Sequence, residues 1–234
     1  MNLMDNSLSL ITLSNKGYLK YTKNLLASIQ KNQLNIDLSI YVMDHYSFNY
    51  FKKIDQNVFL IDGLNSQKFL RQDSQEFGIY MLQKLKIIYN SLLNFENVIY
   101  LDGDIVIKKN FLQYFEKIND NYDLLIQNDK NPKKPNIEYL CAGFMNIKSN
   151  NNTLNFFNPD NISTETIMSG LHDQQYINEN KHKLNYKKLP LDLFPNGAHY
   201  YLNHKEIDPY IIHFNYIIGS KKKKLMKKHN EWYL

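Results

Sequence analysis

Residues 97–107 of the chain read NVIYLDGDIVI. Four apolar or aromatic residues, Val98–Leu101, deliver the pair Asp102-Gly103-Asp104 to the end of an expected strand, and Ile105-Val106-Ile107 follows at once. With fifteen aspartates in the chain, about one such spacing is expected by chance, so the pair alone says little. Its setting says more, because carboxylates flanked by buried strand residues are costly to desolvate unless something pairs them. A divalent cation is the natural partner, since carboxylate oxygens suit Mg2+ or Mn2+. The plainer alternative is a solvated turn after a strand, where Asp and Gly are common.

Outward from this stretch the patterning is that of an α/β chain. Leu8–Leu13 (LSLITL) reads as a buried strand closed by the turn cluster Ser14-Asn15-Lys16-Gly17. Tyr21, Leu25 and Ile29 then recur at helical spacing from Tyr18 to about Lys31. Asp37–Met43 and Asn57–Ile61 read as further strands, the latter closed by Asp62-Gly63. Ile79 to Leu93 carries one apolar stripe of a helix. On the other side, Tyr139–Lys148 and Tyr210–His213 are strand-like, while Asn128–Pro135 and Ser149–Asn161 read as loops. Strands alternating with helical patterns predict a mostly parallel sheet flanked by helices, a Rossmann-like arrangement that binds ligands beyond the carboxyl ends of its strands. That rule gathers Ser14–Tyr18, Asp44 and Asp102–Asp104 on one edge.

Size and charge exclude several classes. The 234 residues suit one domain with a full core, and Cys141, the single cysteine, cannot form an internal disulfide. No apolar run approaches the ~20 residues of a membrane span, and MNLMDNSLSL lacks the basic start of a signal peptide, so a cytoplasmic protein is expected. The net charge of +5 lies wholly in residues 221–234, which hold six lysines and Glu231; residues 1–220 hold 22 basic and 22 acidic groups. Arg71 is the one arginine, which argues against a nucleic-acid partner, because bidentate base and phosphate contacts favour arginine.

Two enzyme classes place an aspartate pair at a strand end. In phosphatases of the haloacid-dehalogenase type the first aspartate is a nucleophile, which would be Asp102, but here the motif lies in mid-chain with no evident second acidic cluster. In nucleotide-sugar transferases the pair holds a metal on the donor diphosphate. A third possibility is a non-catalytic sugar- or polyanion-binding module that works through the lysine tail.

Five segments in order decide among these: Val98–Ile107, Cys141–Lys148 (CAGFMNIK), His172–Asn178 (HDQQYIN), Leu191–Gly197 (LDLFPNG) and Ile211–Lys224 (IIHFNYIIGSKKKK). Together they resemble the nucleotide-diphospho-sugar transferases related to plant rhamnogalacturonan xylosyltransferases, and more distantly the glycogenin and bacterial galactosyltransferase group. The resemblance covers most of the chain and implies a single GT-A domain, with residues 1–107 as the nucleotide-binding half and 108–234 as the acceptor and sugar half. It implies a retaining, metal-dependent glycosyltransferase that passes a sugar from a nucleoside-diphosphate donor, UDP-linked, to a hydroxyl of a glycan or glycosylated acceptor.

Residue roles follow from the same resemblance. Thr12-Leu13-Ser14-Asn15 with Tyr18 is similar to the family's base-holding loop, although Tyr18 equally suits a residue packing on the sheet. Lys84 resembles a lysine that reaches the donor; a solvated helix face is its alternative. Asp102, Asp104 and His213 match the metal ligands for Mn2+ or Mg2+, the histidine through the pattern His213-x-Asn215-x-x-x-Gly219. Gly103 sits between the aspartates in the donor site. Gly219 would let the backbone approach the diphosphate, and Lys222 or Lys223 would supply charge to the leaving group. Asp173 and Gln174 resemble the family's pair beside the donor sugar and reacting carbon. Cys141 stands where the family usually has Asn, a departure that touches sugar identity. Phe194-Pro195-Asn196-Gly197 resembles a loop near the acceptor.

Overall fold

Two of the apolar runs expected as strands are buried on both faces, from Leu10 and from Val98 onward, as a sheet covered by helices requires, whereas the run at 57–61 leaves Phe59 exposed. The computed structural model describes residues 7–54, 57–61, 75–118, 121–132, 136–163 and 172–234. The expected Asp62-Gly63 turn, the first six residues and the 133–135 part of the expected loop lie outside the described residues. The strands in chain order are β1 (Leu8–Ser14), β2 (Leu38–Val42), β3 (Val58–Leu60), β4 (Asn97–Leu101), β5 (Ile105–Ile107), β6 (Leu124–Asn128), β7 (Leu140–Lys148), β8 (Tyr186–Leu189) and β9 (Ile211–His213). The helices are α1 (Leu19–Lys31), α2 (His45–Lys52), α3 (Gln75–Leu92), α4 (Leu112–Glu116), α5 (Asn151–Phe157), α6 (Asp173–Asn180), α7 (Gly197–Asn203) and α8 (Gly219–Lys228).

Among the described residues, seven strands form the main sheet in the order β3-β2-β1-β4-β7-β6-β8. The β3-β2-β1-β4 block and the β6–β8 pair are parallel; β7 runs antiparallel to both its neighbours. The sheet is therefore mostly parallel, as the alternating pattern predicts, with one reversed strand inserted. Successive side chains serve opposite faces: on β1, Leu10 packs with Leu25 and Ile29 of α1, while Ile11 and Leu13 pack with Leu85 and Ile88 of α3. Chain order reverses between β1 and β4, and a crevice opens at such a switch point beyond the strand ends. A second sheet of two antiparallel strands, β5 and β9, lies over a small cluster of Tyr21, Val106, Ile212, Phe214 and Met226.

One expected loop is a helix. Asn150, the residue before α5, accepts from Asn152 N at 2.9 Å and Thr153 N at 3.1 Å, and Thr153 Oγ1 accepts from Asn150 N at 3.0 Å. This reciprocal cap satisfies amides that a helix start leaves unpaired, and Phe156 and Phe157 bury the inner face. The asparagines that suggest a loop serve here as the cap.

Candidate active site

The acidic pair and His213 meet because two strands meet. β4 ends at Leu101, a turn closed by Ile105 N to Asp102 O at 3.1 Å follows, and β5 pairs with β9 in a register that puts Ile105 opposite His213. Residue 104 therefore lies beside the imidazole: His213 Nε2 is 3.3 Å from Asp104 Oδ1 and 3.8 Å from Asp102 Oδ2. One donor atom from each of the three residues lies within 4.8 Å of the others. The neighbouring strand β7 comes so close that a Cβ on Gly143 would fall 2.2 Å from His213 Cε1 and 2.7 Å from Asp102 Oδ2. Glycine at 143 is thus a steric condition of the cluster. Two carboxylates and one imidazole form an oxygen-rich set that fits Mg2+ or Mn2+. Cys141 stands 3.6 Å from the other ring nitrogen, Nδ1, and burial pushes its thiol pKa up.

Two buried lysines flank the cluster. Lys84, from α3, lies 2.6 Å from Asp173 Oδ2 and 3.4 Å from Asp102 Oδ1, with its ammonium 4.2 Å from the Tyr100 ring centroid. Burial would lower its pKa, but the two carboxylates outweigh burial and hold it above the usual lysine value. Lys222, from α8, ion-pairs with Asp104 Oδ2. Burial opposes ionisation of Asp104, yet Lys222 and His213 together hold its carboxyl far below the usual range. Burial likewise works against a charged His213, but Cys141 and the Asp104 carboxylate beside it hold its pKa well above the ordinary imidazole value.

Leu13, Tyr18, Lys84, Asp102, Gly103, Asp104, Asp173, Gln174, His213 and Lys222 all line one cleft of about 850 Å³ at the switch point. Tyr18 lies 6.2 Å from the Tyr80 ring, and burial next to the aspartates pushes its phenol up. Thr12, Ser14 and Asn15 are fully buried behind that wall; Ser14 Oγ pairs with Thr22 Oγ1 at 2.8 Å, and Asn15 Oδ1 accepts from Tyr18 N at 3.1 Å. Their side chains shape the loop instead of lining the cleft. Gly219 takes a left-handed backbone, φ +64°, that favours glycine, and its carbonyl accepts from Tyr21 Oη at 2.7 Å.

Of the alternatives Lys222 and Lys223, the first lines the cleft and the second lies outside it, with its ammonium 4.6 Å from the Trp232 ring centroid. Neighbouring residues on a helix point about 100° apart, so Lys222 and Lys223 cannot both face Asp104. Asp44 caps α2 through Ser47 N at 2.8 Å and also accepts from Lys16 N at 2.8 Å, which shapes the β1 loop from behind. Phe194 is stacked in the core, and Asn196 caps α7 through His199 N at 2.8 Å.

Three buried residues at the site are given no role by the sequence motifs, although Tyr100 lies within the first of them. Asp129, just past β6, accepts from Gln174 Nε2 at 2.9 Å and from Asn196 and Asn215 Nδ2 at 3.2 Å each; burial pushes its carboxyl up against these bonds. Tyr100 Oη donates to Asp102 Oδ1 at 2.9 Å. Gln127, on β6, meets His213 Nδ1 at 2.7 Å. A polar residue inside the apolar run LLIQN is the one local signal for Gln127.

A mostly parallel sheet with this cleft at its switch point, lined by three carboxylates, an imidazole and two buried lysines, is the architecture of the GT-A class. The chain belongs to the nucleotide-diphospho-sugar transferase family, which matches residues 31–227. It is 28% identical over a 297-residue alignment to the UDP-galactose:fucoside alpha-3-galactosyltransferase of Dictyostelium discoideum, an alignment that covers 96% of this chain. The chain spans 43% of the length of that relative. The solved galactosyltransferase LgtC, in complex with donor and acceptor sugar analogs, shares the fold with a TM-score of 0.61 at 11% identity, covering 96% of each chain. A glycosyltransferase involved in glycosylation of the major capsid of PBCV-1 aligns with a TM-score of 0.59 at 10% identity, over 95% of this chain and 99% of its own. With the family known, the phosphatase alternative falls away. Among the described residues no helix is long and apolar enough to cross a membrane.

Proposed function

We propose that this chain transfers a sugar, with retention, from a UDP-linked donor to a hydroxyl of a glycan or glycosylated acceptor, and that the reaction requires Mn2+ or Mg2+. The observation that carries the reading is the convergence of Asp102, Asp104 and His213 within 4.8 Å, in a cleft whose wall also holds Lys84 and Lys222. These three residues would hold the cation. When bound, it would neutralise charge on the leaving diphosphate as a Lewis acid. Residues 1–107 form the nucleotide-binding half, with Leu13 and Tyr18 against the base and the 12–15 backbone beneath it. Residues 108–234 form the acceptor and sugar half.

In this reading Lys222 leaves Asp104 for the diphosphate and stabilises charge as it develops there. Lys84 anchors Asp102 and Asp173, so that Asp173 faces the donor sugar with fixed orientation. Gln174, held by Asp129, positions the sugar from the other side. Pre-set hydrogen-bonding groups of this kind lower a barrier because they need no reorganisation during reaction. The Dictyostelium relative makes UDP-galactose and a fucoside the first donor and acceptor to try.

The test is turnover of UDP-, GDP- and dTDP-sugars by the purified chain, with Mn2+, with Mg2+ and with EDTA, on wild type and Asp104→Asn. The expected result is metal-dependent turnover of a UDP-sugar that falls about a hundredfold or more in the mutant. Turnover that is indifferent to both EDTA and the mutation overturns the proposal.

A further inference from the structure

His213 has two ring nitrogens, and a cation between it and the aspartates needs the lone pair of Nε2. Which nitrogen carries the proton is settled by a residue on a different strand. Gln127 is fully buried on β6, at the point where the β6–β7 register jumps from Ile126 opposite Met145 to Gln127 opposite Cys141. Such irregularities re-aim side chains next to active sites. Here the re-aimed amide has its Nε2 2.9 Å from Pro195 O and 3.2 Å from Phe194 O. Carbonyl oxygens accept and never donate, so the amide NH2 must face them, and Oε1 must face the imidazole. Oε1 in turn accepts and never donates, so His213 Nδ1, 2.7 Å away, carries the hydrogen.

The amide has no second choice. Flipped, it would set Oε1 against the Phe194 and Pro195 carbonyls, with no hydrogen between acceptor and acceptor. Nor can the carbonyls move away easily, since Phe194 stacks on Phe115, Phe144 and Tyr210 in the core. Cys141 Sγ, 3.6 Å from Nδ1, is too weak an acceptor to replace Gln127.

We propose that Gln127 is a positioning residue: by accepting from Nδ1 it holds His213 in the tautomer and rotamer that aim the Nε2 lone pair at the space between Asp102 and Asp104. The inference rests on the metal-site reading above and extends it beyond the three ligands. Partners that orient a ligating histidine are worth about tenfold to a hundredfold in metal affinity.

The test reads Mn2+ binding directly, by electron paramagnetic resonance on the full chain without donor, so that activity plays no part. Gln127→Met keeps the length of the side chain and removes the acceptor; its Mn2+ Kd is expected to weaken about tenfold to a hundredfold. Gln127→Glu restores an acceptor for Nδ1 but gives up the donations to Phe194 and Pro195. It is expected to melt at least as early as Gln127→Met and yet to bind Mn2+ more tightly than that variant. If affinity instead follows melting temperature through both variants, Gln127 is merely structural and the proposal is overturned. If Gln127→Met binds as wild type while Asp104→Asn and His213→Ala do not, the metal site stands and Gln127 has no part in it. If those two ligand variants also bind as wild type, it is the metal-site reading that fails. Should the variants not fold, nitrogen-15 spectra of wild type with Mg2+ decide: the expected proton is on His213 Nδ1, and a proton on Nε2 refutes the assignment.

Discussion

Lys222 sits in a row of four lysines, and its neighbours show how little identity says about role. Lys221 and Lys224 are exposed, Lys223 lies over Trp232, and Lys222 is buried against Asp104. Met226, one helical turn further on, is fully buried and marks the same inward face. That spacing is a signal available in the sequence, whereas the run of lysines by itself points nowhere. The same contact makes Lys222 a competitor of any cation for Asp104. Replacing it with Met should therefore separate two quantities that most site mutations lower together. For Lys222→Met we expect Mn2+ to bind more tightly than to wild type, because the carboxylate is no longer paired, while donor turnover falls about a hundredfold for want of charge beside the leaving group. Calorimetric titration with Mn2+ alongside steady-state kinetics checks both signs.

At the scale of elements, α8 carries Lys222, and its far end is tied to α1 by the segment that follows it. Asn24, fully buried on α1, donates to Glu231 O at 2.9 Å and accepts from Tyr233 N at 2.7 Å. Glu231 is buried and takes Lys108 Nζ at 2.8 Å, which fastens the same segment to the end of β5. Tyr21 of α1 holds the near end through Gly219 O. Asn24→Ala leaves two backbone groups without partners, at a cost of about 2 kcal/mol, and frees the end of α8. A lower urea midpoint together with a raised KM for the donor is the expected result; a lower midpoint with KM unchanged would show that the tie serves stability alone. The elements that were legible from sequence share a cause. β1, β2, β4 and α3 carry runs or stripes of apolar residues whose neighbours in space are also near in pattern. β6 was not legible, because its buried Gln127 finds its partners at Phe194, Pro195 and His213, some 67 to 86 residues away. Asp129 is hidden in the same way, since its amide partners come from α6, the α7 cap and the segment after β9. Motifs exposed the Asp102–Asp104–His213 cluster, but not the residues that hold it in place, whose signal lies in long-range contacts.

For the molecule as a whole, the excess charge of +5 is carried by the final fourteen residues, and α8 turns that segment into a ruler. A helix rises about 1.5 Å per residue, so Lys224 lies ~3 Å and Lys228 ~9 Å beyond Lys222 along the axis. The screening length is about 8 Å at 0.15 M salt and about 30 Å at 0.01 M. An anionic donor approaching the cleft should therefore feel Lys221 and Lys224 at either salt concentration, and Lys227 and Lys228 far less at the higher one. The comparison is between two double mutants, Lys221→Gln with Lys224→Gln and Lys227→Gln with Lys228→Gln, each of which removes two exposed charges from the same helix. Stopped-flow association of a fluorescent UDP analogue is expected to slow to a similar degree in both at 0.01 M salt, where the whole helix steers the ligand. At 0.15 M the first pair should slow association more than the second. Equal slowing at both salt concentrations would mean that total charge, not its placement at the mouth of the cleft, governs the approach of the donor.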